Sequence, residues 1–193
     1  TTLVRDHWLI LDDDDANIAN GTPHFAAIAN AFAEHGFPDL DFENPRTERV
    51  SVDSAGVQAN AASSNPWLSA DRRYVTYASQ ASNLVPGDTN GVQDVFVHDR
   101  QTRQTTRVSV SSIGTQANGD SDDASLSADG RLVAFDSFAS NLVPGDTNGM
   151  RDVFIHDRQT GLTTRVSVDS SGLQSNGGSN QPFVSADGRY VAF

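Results

Sequence analysis

Ser127-Ala128-Asp129-Gly130-Arg131-Leu132-Val133-Ala134-Phe135, followed after a loop by Asp152-Val153-Phe154-Ile155-His156-Asp157-Arg158-Gln159-Thr160-Gly161, is the stretch from which the fold is read. Asp129-Gly130 is a turn signal, because glycine takes a positive φ at little steric cost. The few residues before Ser127 therefore read as a first strand and residues 131–137 as a second. In the second, Leu132-Val133-Ala134-Phe135 is apolar on both alternating faces, as a strand covered on both sides requires. Residues 152–157 read as a third strand, residues 158–161 as a turn and residues 163–168 as a fourth strand. There Val166 and Val168 alternate with Arg165 and Ser167, which predicts one wet face.

The same punctuation recurs. Arg49-Val50-Ser51-Val52 returns as Arg107-Val108-Ser109-Val110 and as Arg165-Val166-Ser167-Val168, a step of 58 residues each time. Ser69-Ala70-Asp71 and Ser185-Ala186-Asp187 keep the same step from Ser127-Ala128-Asp129. Residues 49–106 (repeat 1) and 107–164 (repeat 2) are identical at 38 of 58 positions without a gap, which makes this a tandem duplication. A buried second strand and a half-wet fourth describe a four-stranded antiparallel sheet with an inner and an outer edge, one blade of a β-propeller. The predicted fold is all-β: a partial propeller with a 58-residue repeat, preceded by a short α-helical segment. Residues 46–193 then hold a fourth strand near 46–52, full blades near 66–110 and 124–168, and half of another from about 182. A closed propeller has about 4–8 blades, so the remaining blades are expected from the same parent chain.

The Ser-x-Asp-Gly turn and the aromatic-x-x-Asp-x-x-Thr-Gly stretch, recurring in register, resemble the TolB-like, WD-like bacterial propeller repeat over about residues 46–193. Arg72 replaces the turn glycine in the first copy. The resemblance implies a non-catalytic binding or scaffolding module, usually exported, and no particular ligand; the first function hypothesis is a periplasmic or extracellular module that recognises a protein, peptide or glycan.

A WD-type blade takes about 40–45 residues, so a 58-residue repeat carries its surplus in loops. The loop between strands two and three holds Ala81-Ser82-Asn83-Leu84-Val85-Pro86-Gly87-Asp88-Thr89-Asn90-Gly91, and residues 139–149 repeat all 11 positions. It is more alike between copies than the rest of the unit, where 27 of 47 positions agree. The pattern Asp-x-Asn-Gly-x-x-Asp offers Asp88, Asn90 and Asp94, then Asp146, Asn148 and Asp152, oxygen ligands at positions one, three and seven. Such spacing suits a hard cation, which makes Ca²⁺ the candidate cofactor. The glycine stands at position four and no glutamate follows at twelve, unlike an EF-hand loop; Asp99 and Asp157 stand there instead. Pro-Gly-Asp and Asn-Gly are also ordinary turn formers, so a purely structural loop is the competing reading.

The second expanded loop, between blades, repeats Gly56, Gln58 and Asn60 as Gly114, Gln116 and Asn118 and as Gly172, Gln174 and Asn176. Its amides are expected to close the loop on its own backbone, with recognition of sugar hydroxyls or peptide as the alternative. His98 and His156 share a strand face with Phe96 and Phe154 and have no second ligand at metal spacing.

Residues 1–45 stand outside the repeat and read as the tail of a preceding domain. Thr22-Pro23 opens a helix that Gly36 and Pro38 close, with Phe25, Ile28, Ala29 and Phe32 in one apolar stripe. The acidic run Asp12 to Asp15 ahead of it reads as relaxing against the positive end of that helix, or as a cation site. Residues 11–36 are similar to the closing helix of some exported metallopeptidase-like domains, which raises a second function: the accessory propeller of a secreted hydrolase whose catalytic domain lies upstream. The His-Glu-x-x-His element is absent, as are a Gly-x-Ser-x-Gly elbow and a phosphate loop, so no residue is assigned catalysis. A net charge of −12, from 13 arginines against 22 aspartates and 3 glutamates, argues against nucleic acid, and no apolar run reaches the ~18 residues of a membrane span.

Overall fold

The computed structural model describes residues 47–193. The chain divides into two units, Thr1–Glu48 and Arg49–Phe193. The expected helix from Thr22 and the segment 1–45 lie outside the described residues.

Two successive four-stranded antiparallel sheets form the second unit: β1 (Ser63–Leu68), β2 (Tyr74–Ser79), β3 (Asp94–Asp99) and β4 (Gln104–Arg107), then β5 (Ser121–Leu126), β6 (Leu132–Ser137), β7 (Asp152–Asp157) and β8 (Leu162–Arg165). Each sheet is a simple meander, and each strand pairs with its neighbour in sequence. A third sheet begins with β9 (Phe183–Val184) and β10 (Val191–Ala192). These are two blades and the inner half of another. The fold is an all-β partial propeller.

The turn before each second strand is built by the Ser-Ala-Asp motif. Ser69 Oγ donates to Asp71 Oδ1 at 2.6 Å, and the Arg73 and Tyr74 amides donate to Asp71 and Ser69. Ser127-Asp129 and Ser185-Asp187 repeat the arrangement. Asp99 and Asp157 order the turn after each third strand, accepting from two amides there and from the forked guanidinium of Arg73 or Arg131.

β2 and β6 are covered on both faces, as the apolar run predicts. The core lies between blades: Val95, Val97 and Val108 of the first pack with Leu126, Val133, Phe135, Leu142 and Phe154 of the second. Tyr77 stacks on Phe96 and Phe135 on Phe154 across paired strands, at 6.0 and 5.8 Å between ring centroids.

The fourth strand is shorter than the sequence predicts. β8 ends at Arg165, and Ser167 is buried where a wet position was expected, because its Oγ donates to Asp152 Oδ1 at 2.6 Å; Ser109 and Asp94 do the same. Val168, expected inward, is 37% exposed. Nor are residues 49–52 a strand: no third strand pairs with them among the described residues, and Val52 makes only an isolated bridge to Gln58, as Val110 does to Gln116.

At the second-strand turn Arg72 has φ +61°, where Gly130 and Gly188 have +67° and +71°. A left-handed side-chain residue costs about 1–2 kcal/mol, so Arg72→Gly is expected to raise the urea midpoint, by about 1 kcal/mol of stability. The reverse change has no room. A Cβ on Gly130 would stand 2.2 Å from the Tyr74 ring of the preceding blade, so Gly130→Ala should cost more than about 2 kcal/mol in the same assay.

Candidate functional site

The structure gathers the expected ligands. Asp94 is fully buried at the start of β3; its Oδ1 accepts from Ser109, and its Oδ2 accepts from Asn90 Nδ2 at 2.9 Å and Arg107 Nη1 at 3.1 Å. Asp88 Oδ1 lies 3.1 Å from the same Arg107 nitrogen, and Gln116 Oε1 accepts from it at 3.0 Å. Asp146, Asn148, Asp152, Arg165 and Gln174 repeat the arrangement. The cation at the centre of each described loop is an arginine. Gly87 and Gly91, at φ +72° and +68°, make the reversals that wrap the loop around it. Burial raises the Asp88 carboxyl above its ordinary range, Asp94 adds to the rise, and Arg107 pulls it back.

The between-blade amides were expected to close on their own backbone and instead reach outward. Gln116 Nε2 donates to Gly87 O and Thr89 Oγ1 of the first blade's loop, while Asn90 Nδ2 donates to Ala117 O. One residue on, Asn118 exchanges hydrogen bonds with Ser140 and Asn141 of the second blade's loop. Asn60 holds Ser82 and Asn83 in the same way. Each of the two loops is thus held by linkers on both sides, 81–91 by Asn60 and Gln116 and 139–149 by Asn118 and Gln174, and a loop so held tolerates little sequence change. His98 and His156 are buried, with Nδ1 on Thr105 and Thr163 at 2.9 Å.

A second constellation lies at the rim of the inner strands. Asn65-Pro66-Trp67, Asp123-Ala124-Ser125 and Gln181-Pro182-Phe183 hold equivalent positions in three consecutive blades and line one groove of about 300 Å³. Asn65, Asp123 and Gln181 all have left-handed φ, between +43° and +51°. Trp67 and Phe183 meet edge to face with centroids 5.5 Å apart. Asn65 Nδ2 donates to both Asp122 and Asp123 at 2.9 Å, and the Gln181 amide donates to Asp136 Oδ2 at 3.0 Å. Asp136 is fully buried, with Arg151 Nη1 at 3.1 Å. Attention to what the copies share passes over these residues. Their signal is the reverse: Ser64, Asn65, Ala78 and Gln93 of repeat 1 become Asp122, Asp123, Asp136 and Arg151 in repeat 2.

No family model and no curated protein matches the chain. Among solved structures it is similar to TolB from Acinetobacter baumannii (21% identity, 69% of this chain and 26% of that one, TM-score 0.43). It is similar also to a putative TolB from Agrobacterium tumefaciens (20%, 68% and 38%, TM-score 0.47) and to the β-propeller domain of the Trilobed protease from Pyrococcus furiosus (13%, 68% and 33%, TM-score 0.39). The chain resembles TolB-like β-propellers. It spans well under half the length of each of these proteins.

Two outcomes are expected from this geometry. Arg107→Gln leaves buried carboxylates without their cation, so it should destabilise by about 3 kcal/mol at neutral pH; chemical denaturation of the variant and the parent chain measures this. Burial pushes the Asp136 carboxyl up to about 6, with Asp123 and Asp122 adding and the Gln181 amide and Arg151 opposing. A folded pKa above the unfolded value of about 4 means the folded state holds the proton more tightly. The stability so gained is complete below about pH 4 and lost as pH rises through about 6. Asp99 and Asp157, held far down by Arg73 and Arg131, act oppositely, their contribution being lost as pH falls below about 4. Melting curves of Asp136→Asn between pH 4.5 and 7 should therefore be flatter than those of the parent chain.

Proposed function

We propose that this chain is a non-catalytic binding module of an exported bacterial protein, with the inner-strand groove as its recognition site for a protein, peptide or glycan. The observation that carries the reading is the groove itself, where three blades present equivalent residues and the two largest side chains are exposed aromatics, Trp67 at 43% and Phe183 at 53%. Exposed rings in a concave site, rimmed by amides and carboxylates, are what small ligands and peptide side chains are held by. The histidines that could serve as general bases, His98 and His156 among the described residues, are buried and bonded to threonine within their sheets. Amide spectra recorded with panels of short peptides and oligosaccharides test the reading: groove residues should shift, with the response weakened in Trp67→Ala, and a panel that shifts none of them overturns it.

A second proposal concerns calcium at the repeated loops, and one observation favours it. Two carboxylates, Asp88 and Asp94, face one guanidinium, Arg107, which leaves a formal −1 in each loop. A Ca²⁺ ion would add to or displace the arginine and draw on Asp88, Asn90 and Asp94, or on Asp146, Asn148 and Asp152. Calorimetric titration should give heat with the parent chain and none with Asp88→Ala/Asp146→Ala; equal heats would end the calcium proposal.

A further inference from the structure

The three walls of the groove differ in charge. At the positions of Asp122 and Asp123, repeat 1 has Ser64 and Asn65 and the third blade has Asn180 and Gln181, all neutral. The middle wall alone is ionic. Asp122, Asp123 and Asp136 face a single nearby cation, Arg151, three charges against one. Arg151 is itself held, with its guanidinium 4.7 Å from the Phe138 ring centre. Asp136 is already engaged, its Oδ1 by Arg151 Nη1 at 3.1 Å and its Oδ2 by the Gln181 amide at 3.0 Å, so the uncompensated charge lies at Asp122 and Asp123. The excess negative charge therefore suits a cation that brings its own hydrogen-bond donors. Trp67 and Phe183, in edge-to-face contact and both partly exposed, line the same groove, where aromatic surface attracts such a cation and covers an aliphatic stem.

Building on the groove as the recognition site, we infer that its ligand is a basic peptide, with a guanidinium or ammonium group seated at Asp122 and Asp123 and its stem lying on Trp67 and Phe183. An acidic or neutral peptide would leave the carboxylates without a counter-charge. Association should be salt-sensitive, since Asp122 and Asp123 lie at a water-accessible rim.

The test titrates the 193-residue chain with N-acetyl-Gly-Arg-Gly-amide, with the citrulline peptide of the same shape and no charge, and with N-acetyl-Gly-Glu-Gly-amide, following backbone amide shifts. The arginine peptide alone should move Asn65, Trp67, Asp123, Gln181 and Phe183. Its affinity should fall about tenfold in Asp122→Ser/Asp123→Asn, which installs the residues repeat 1 already carries at these places. If the double variant does not fold, Asp123→Asn carries the comparison, as Asn tolerates the left-handed backbone there. Equal shifts with all three peptides overturn the basic-peptide inference and leave the groove a binding site. Unchanged affinity in the variants overturns the inference as well. No shift at those residues with any peptide overturns both readings.

Discussion

One guanidinium holds three separate pieces of each repeat in register. Arg107, the last residue of the outer strand, meets Asp94 at the head of β3, Asp88 in the expanded loop and Gln116 in the linker to the next blade. Remove it and two carboxylates face each other in a site with almost no water. Because Gln116 and its neighbour Asn118 also carry the hydrogen bonds to two successive loops, the arginine fixes the spacing between blades as well as the shape of one. The apolar core between blades can then form in one register, with Val95 and Val97 against Phe135 and Phe154.

The fold was legible because its signals are local. A Ser-x-Asp-Gly turn, a doubly apolar second strand and a 58-residue step need no knowledge of partners distant in the chain. The departures come from long-range side-chain bonds. Ser109 and Ser167 look like wet strand positions until Asp94 and Asp152, 15 residues earlier, claim their hydroxyls. The loop residues Asp88, Asn90 and Asp94 stand out by spacing, whereas the guanidinium beside them lies within Arg107-Val108-Ser109-Val110, a motif whose alternation reads only as strand.

The groove shows a different limit. Identity between copies marks what every blade needs in order to pack, and it directs attention to loops and turns. The charged residues of the groove are those that the second copy alone carries among the described repeats. Asp122, Asp123 and Asp136 become meaningful once the sheet pairing sets Asp122 opposite Asp136 and the inner strands bring Asn65 and Gln181 alongside. No spacing rule in the linear sequence connects residues 65, 123, 136 and 181.

The contacts that join the blades also identify them. Two repeats alike at 38 of 58 positions could, during folding, dock onto the wrong neighbour, a characteristic failure of tandem proteins. Asn65 finds a carboxylate pair only on the second blade, and the Tyr74 ring, flanked by Arg73 and Arg158, rests on Gly130, while Leu132 takes the smaller place against Gly188. These differences work as address labels, giving correct neighbours a contact that a misplaced copy lacks, so the diverged positions serve the order of assembly as well as the chemistry of the rim.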